Sequence, residues 1–351
     1  MGVTAGVPPR VDAGIKAGLL DLVDCALGEG WSATRACAVL EIDERRYRRW
    51  RQREPLGRLG DAVGGAAMHA ILAWEQDAIL RVFDQWGDID GSYRKIAHRG
   101  SYEGLVWVAP STVYRTLARH DLVLPARPAR TPAPLTAWPD WVTWIRHQIW
   151  IYDFTHFSVA DRVAYAVLDV VTRKWLATLV TVTETPTQVE VVFTDALEAE
   201  GLWPRIEARQ TERPFDWDDP DKPILLAMSD NGLQMRARST REFMAMCSIV
   251  THYGRPGTPT DQAWIETLFG HVKGEWPHLE KIRDPNELRT ELEIVRADYN
   301  GRRLHAAIGY VTPDDEHEGR GDQIRQARRD GLARARLQRL TYHRNHNRQQ
   351  P

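Results

Sequence analysis

Cysteine is scarce in this chain and long apolar runs are missing. The 351 residues hold three cysteines, Cys25, Cys37 and Cys247, an odd and widely spread set. That excludes a disulfide framework and a zinc knuckle, and leaves three small buried hydrophobes as the expectation. The longest apolar runs, AYAVLDVV and WLATLVTV, fall well short of the roughly 20 residues a membrane span needs. The first residues, MGVTAGVPPRVDAG, have no apolar signal region, so the expected location is the cytoplasm. An excess of charge of one sign is also lacking, at a net -2.

That near-neutral total conceals a strong asymmetry. Residues 141–318 carry 19 Lys/Arg against 29 Asp/Glu, whereas residues 319–351 carry 9 against 2. Local clustering, not the global balance, decides whether a surface can hold nucleic acid. The basic clusters are ERRYRRWRQR, with six arginines between positions 45 and 53, and the C-terminal tail.

Residues 15–53 predict three short helices. Ile15, Leu19, Leu22, Val23 and Leu27 recur at helical spacing, and Gly28 and Gly30 stop that helix. Ser32 and Asp43 are N-cap residues for the next two. A basic third helix behind two short ones fits a helix-turn-helix reader, in which Arg45, Arg46, Arg48 and Arg49 reach phosphates and base edges while Tyr47 and Trp50 pack inward. A second three-helix pattern follows over AILAWEQDAILRVFDQWG, SYRKIAHRGSYEG and STVYRTLARHDLV. Ser111 or Thr112 is its expected cap, and Arg115 and Arg119 share one face. The organisation read from this is a helix-turn-helix domain at 1–60, a second helix-turn-helix or winged-helix domain at 61–124, a stiff Pro-rich linker at 125–140, a catalytic core at 141–313 and a basic tail at 314–351.

From position 148 the period changes from helical to alternating. QIWIYDFTHFSV, RVAYAVLDVVTR and KWLATLVTVTE predict an antiparallel meander. TPTQVEVVFTDALEAEG predicts a helix with Pro186 in its first turn and Gly201 past its end. PILLAMSD and SIVTHYG predict two more strands separated by the helix TREFMAMC, and two long helices close the core. The stretch 201–223 is polar and is expected to be a solvated, irregular insertion. Its aspartates Asp216, Asp218, Asp219 and Asp221 do not match the spacing of an EF-hand loop.

Three carboxylates stand out in this frame. Asp153 lies in the first strand, Asp230 ends the fourth, and Glu266 follows after 35 intervening residues on a helix. Neighbouring strands would bring the two aspartates to one sheet end, and the helix would lay Glu266 over it. Such a set of hard oxygen donors suits two Mg²⁺ or Mn²⁺ ions, which about 4 Å apart stabilise in-line displacement at a phosphodiester. Glu266, Phe269, Gly270 and Lys273 share one helical face, which places Lys273 for a DNA phosphate.

Several motifs recur in order: W-x-Y-D-F-T at Trp150–Thr155, S-D-N-G at Ser229–Gly232, D-Q-A-x-x-E at Asp261–Glu266, F-G-x-x-K at Phe269–Lys273, Y-N at Tyr299–Asn300 and R-x-H-x-x-x-G-Y-x-T-P from Arg303 to Pro313. In these the chain resembles insertion-sequence transposases related to retroviral integrases, the DDE family of the rve superfamily. The resemblance implies an α/β ribonuclease-H-like core, a mixed five-stranded sheet with helices, preceded by two all-α helix-turn-helix modules. It also implies an Mg²⁺-dependent enzyme with Asp153, Asp230 and Glu266 as catalytic and metal-binding residues, and DNA near His252, although an ordinary buried or exposed histidine fits that position equally well. The implied partners are double-stranded DNA, as element ends and target, and further copies of the chain; no membrane is involved, and the setting is the nucleoid. Two features depart from the family pattern: Gln262 stands where Asn is usual, and the gap from Asp153 to Asp230 is long. A catalytically decayed repressor of the element and an RNase-H-like nuclease are the competing readings.

Overall fold

A computed structural model describes residues 7–8, 11–60, 67–122, 142–211, 223–254 and 263–347. The expected linker 125–140, the four aspartates of the insertion, and Asp261 and Gln262 lie outside the described residues. The chain forms two compact units, residues 1–70 with 339–351 and residues 71–338.

In the first unit, α1 (Ala13–Gly28), α2 (Ala33–Val39) and α3 (Glu44–Arg53) are each opened by a side-chain cap, from Asp12, Ser32 and Asp43. Leu20, Val23, Ala36, Cys37, Ile42, Tyr47 and Trp50 form the core. The phase of α1 differs from the expected stripe. Leu20 and Val23 are buried, whereas Ile15 and Leu22 are 50% and 55% exposed. Lys16 shares the buried face because its stem lies inward while its ammonium donates to the Leu59 carbonyl at 2.9 Å. A lysine on the core face conceals the true period from a count of apolar residues.

The second unit contains α4 (Ala73–Trp86), α5 (Tyr93–Tyr102) and α6 (Pro110–Arg119), packed through Ile79, Val82, Ile96, Val113 and Leu117. The cap of α6 is Ala109, and Pro110 occupies its first turn, so Ser111 and Thr112 lie inside the helix. Proline fits there because the amide it lacks would have no intrahelical partner.

The sheet follows: β1 (Ile149–Phe157), β2 (Arg162–Asp169), β3 (Trp175–Thr181), β4 (Leu225–Ser229) and β5 (Ile249–Tyr253), in the order β3-β2-β1-β4-β5. The first three strands are the expected antiparallel meander, and β4 and β5 join parallel to β1. Alternate residues of β1 serve two cores. Trp150 and Tyr152 face α7 (Pro186–Ala199) and α9 (Arg238–Met246). Ile149 and Ile151 face α10 (Ala263–Glu275) and α11 (Pro285–Gly301). A strand buried on both sides reads as a near-continuous apolar run, which is how IWIY reads.

The insertion is more ordered than expected. Trp203–Thr211 is a helix, α8, with Leu202 and Ile206 in the core. Only one side of this short helix is buried, so its sequence looks uniformly polar.

After α12 (Pro313–His317), the tail forms α13 (Gly321–Asn347). Its buried face is not an apolar one. Arg328, Gly331 and Ala335 line the buried face, while Leu337 is 64% exposed. Arg328 donates to the Gly309 and Tyr310 carbonyls, both at 2.8 Å. A Cβ at Gly331 would lie 2.1 Å from the Trp107 ring, so only glycine permits this approach.

Helices α4–α6 are tied to the core by polar contacts. Buried Arg99 donates to Asp90 at 2.7 Å and to the Arg302 carbonyl at 2.6 Å, and Tyr102 hydrogen-bonds Asp315. Beside them His98 stacks on Tyr310, ring centres 4.1 Å apart. Burial, then the charge of Arg328, pushes the His98 pKa down to about 4. The folded protein therefore resists protonation, so the stability tied to neutral His98 is complete above about pH 6.5 and is lost toward about pH 4. Thermal unfolding of His98→Phe, which keeps a ring on Tyr310, is expected to lose less midpoint than wild type across that window. Buried His147 and His305 account for part of the remainder, and equal losses in the two proteins would contradict the assignment.

Candidate active site

The parallel pairing of β1 and β4 sets the geometry. Ile151 is level with Met228; Asp153 stands two residues further along β1, and Asp230 stands just past the end of β4 at Ser229. Adjacent strands lie about 4.8 Å apart, and alternation along β1 puts Asp153 on the face of Ile149 and Ile151. That face carries Ile149, Ile151, Leu226 and Met228 and is covered by α10. Glu266 lies in the first turn of α10, held by buried Ile265 and Leu268, while its own side chain is exposed.

Asp153 registers the other two carboxylates electrostatically. Its pKa is pushed up to about 7, first by burial and then by the charges of Asp230, Glu266 and Glu184, against a backbone hydrogen bond from Phe154. That amide reaches Asp153 Oδ1 at 2.8 Å, and the Gly232 amide reaches Asp230 Oδ1 at 2.9 Å. In each aspartate the second oxygen remains for a ligand. Crowded, partly buried anionic oxygens are the donor set that Mg²⁺ and Mn²⁺ take, and a bound cation would offset the repulsion. Among the described residues the three carboxylates do not close within 4.8 Å of one another; the cluster that does is His147, Glu200 and His317.

Neighbouring motif residues shape this turn. A Cβ at Gly232 would meet Asp230 Oδ1 at 2.9 Å, and Asn231 Nδ2 donates to the Gly254 carbonyl. Both therefore hold the loop that presents Asp230. Asn300 bonds the Trp175 amide and carbonyl at 2.9 and 2.8 Å, and Arg303 forks onto Glu275, tying the last core helix in place.

Lys273 is engaged within the protein. Its ammonium donates to the His156 carbonyl and pairs with Glu280, both at 2.7 Å. His252 lies on β5 opposite Met228 and is half-buried. On α3, Arg46 donates to the Val7 and Pro8 carbonyls and covers Trp50, while Arg45, Arg48 and Arg49 are exposed. Arg48 stays 73% exposed even though it pairs with Glu44. Arg115 and Arg119 are exposed on α6.

Glu184 is an addition that sequence reading missed. It sits between β3 and α7, pairs with His156 at 2.6 Å and adds negative charge at Asp153. No motif marks it; its only signal is an acidic residue in the turn that leaves the meander.

Because the folded pKa of Asp153 lies above its ordinary 3.8, its ionisation opposes folding at pH above about 7, and the effect vanishes below about 3.8, where both states are protonated. Without divalent cations, Asp153→Asn is expected to melt above wild type at pH 8, with the gap closing toward pH 4. An absent gap at pH 8 would contradict this electrostatic picture.

Comparison with known proteins adds the following. The integrase core domain family profile matches residues 248–313, the stretch that includes β5, Glu266 and the last core helix. A Lactococcus lactis subsp. lactis protein described as an ATP-dependent protease is 26% identical over 128 residues, 34% of this chain and 41% of that protein. The chain thus spans less than half of that relative. The BIV integrase catalytic core aligns at TM-score 0.35 and 17% identity, over 50% of this chain and 97% of that one. A simian T-cell lymphotropic virus intasome bound to the PP2A regulatory subunit B56 gamma aligns at 0.39 and 14%, over 68% and 73%. The match over residues 248–313 makes that stretch, which begins with β5 and ends at Pro313, similar to integrase core domains.

Proposed function

We propose that this chain is a DNA transposase that binds the ends of its mobile element, cleaves a strand there and joins it to target DNA. The observation that supports this reading is the parallel pairing of β1 with β4, which carries Asp153 on β1 and Asp230 just past the end of β4, with Asp230 and Glu266 within electrostatic reach of Asp153. In it, Asp153, Asp230 and Glu266 hold two Mg²⁺ or Mn²⁺ ions, which supply activation of the attacking oxygen and stabilisation of the leaving oxygen. The chain's own part is to orient these carboxylates: the Phe154 and Gly232 amides each fix one oxygen, and α10 sets the approach of Glu266. Cleavage breaks the P–O3′ bond with water as nucleophile; joining uses the freed 3′-hydroxyl to attack a second phosphodiester and expels its 3′-oxygen. Proton and charge balance close without a covalent enzyme intermediate, so no serine or tyrosine nucleophile is assigned.

Recognition of the ends falls to the helical readers. Arg45, Arg48 and Arg49 of α3 present exposed guanidinium groups, and Arg115 and Arg119 offer a second set. Arg46 acts by packing α3 against the N-terminal segment. His252 lies near the triad and lines the DNA path. Lys273 steadies α10 against β1 through the His156 carbonyl, a role that supports Glu266. The outward arginines of α13, Arg329, Arg334 and Arg336, add phosphate contacts, and assembly of two ends calls for more than one copy of the chain. Among the described residues no helix is long and apolar enough to cross a membrane.

Asp153→Asn, Asp230→Asn and Glu266→Gln are each expected to lower Mg²⁺-dependent nicking of an end-containing oligonucleotide by at least about 10²-fold, or about 2.7 kcal/mol of barrier, with end binding unchanged. Near-normal nicking by any one of them would remove that residue from the triad. A wild-type protein that binds ends yet never nicks them would favour the repressor reading.

Replacing Arg45, Arg48 and Arg49 with Ala is expected to weaken end binding and to flatten the dependence of log K on log salt by about 0.9 for each phosphate that is no longer neutralised. An unchanged slope in a folded variant would make α3 a solvated surface only.

A further inference from the structure

A second cluster of ligand-type side chains lies apart from the carboxylate triad. His147 precedes β1, Glu200 caps the C-terminus of α7, and His317 ends α12. One ligand atom from each lies within 4.8 Å of the others. All three side chains are largely buried, at 11%, 9% and 3% exposure. We propose that His147, Glu200 and His317 form a structural site for a zinc-class divalent cation.

Four observations support it. His317 Nε2 is 2.7 Å and His147 Nε2 3.7 Å from Glu200 Oε2. Ligands at 2.0–2.2 Å around a tetrahedral ion stand about 3.3 Å apart, so both pairs are within roughly half an ångström of a bound geometry. An outer partner that orients a metal-bound imidazole is in place for His317, and the nearest carboxylate to His147 stands beyond hydrogen-bond reach. Thr172 Oγ1 lies 2.9 Å from His317 Nδ1, and the Asp169 carboxylate lies 3.9 Å from His147 Nδ1. Lys174 takes Glu200 Oε1 at 3.0 Å and leaves Oε2 to the histidines.

His147 is held in the left-handed region at φ 64, where a non-glycine residue is strained, and its amide is pinned by Asp169 at 2.7 Å. A simple hydrogen bond from His317 to Glu200 would satisfy those two residues and leave His147 unexplained; a shared cation uses all three. Finally, a carboxylate at the C-terminus of α7 faces the negative end of the helix dipole, where a cation is favoured.

Such a site would fasten α12 to the sheet. Asp315 of α12 receives Tyr102 of α5, so the same clamp would steady the attachment of helices α4–α6 to the core.

The test uses the full chain in an Asp153→Asn/Asp230→Asn/Glu266→Gln background, which removes the triad's own metal binding. Titration with Co²⁺ is expected to give one equivalent with the intense visible absorption of a tetrahedral ion, displaced by Zn²⁺, and Zn²⁺ should raise the thermal midpoint. His317→Gln and Glu200→Gln should lose the absorption. His147→Asn, a residue that tolerates the left-handed backbone, should lose or sharply weaken it with the fold intact. No tetrahedral absorption and no retained zinc in the parent protein would overturn the proposal, as would undiminished binding in all three variants.

Discussion

The parallel hydrogen-bonded pairing of β1 with β4 is the constraint on which the active end of this protein depends. Register in a doubly buried sheet is strongly specified, because a slip of one residue would turn every side chain to the opposite core. Tyr152 and Trp150 on one face and Ile149 and Ile151 on the other leave no alternative alignment. The same register that satisfies both cores carries Asp153 on β1 and Asp230 just past the end of its neighbour β4. The burial of Asp153, and after it the repulsion from Asp230 and Glu266, is sustained by the packing energy of the sheet and raises the pKa of Asp153. Stability given up there is what a site needing cations would be expected to show.

Much of this was legible in the sequence because the relevant signals are local. The alternating run around Asp153, the strand that ends in SDNG and the cap residues Ser32 and Asp43 each act within a few residues of themselves. What failed to show was the part decided by long-range packing. Lys16 on the core face shifted the phase of α1. The tail helix docks through glycine, alanine and arginine, which no hydropathy count recognises as a buried face. Helix α8 is hidden in a polar segment because a single turn carries its buried contacts. Lys273 lies where the helical face predicted, yet its ammonium is engaged by a carbonyl and a carboxylate.

Residues far apart in the chain are the extreme case. Glu184 contributes to the field at Asp153 without any motif, and His147, Glu200 and His317 meet only because three element ends converge. Ligand spacing in sequence finds metal sites built on one hairpin or one helix; it is blind to those assembled from loop ends.

Charge is distributed to match these roles. The acidic middle of the chain carries the carboxylates, and the arginines lie on α3, α6 and α13. In the proposed reading the arginines would position DNA through its phosphates, and the carboxylates would act where cations bridge the two sets of negative charge. The most direct measurement of the central claim is the anomalous scattering of Mn²⁺ in crystals of the protein bound to an element-end duplex. The expected result is Mn²⁺ ligated by Asp153 together with Asp230, with a second ion on the Glu266 side of Asp153. Ions bound without Asp153, or Asp230 and Asp153 ligating no common metal, would contradict it.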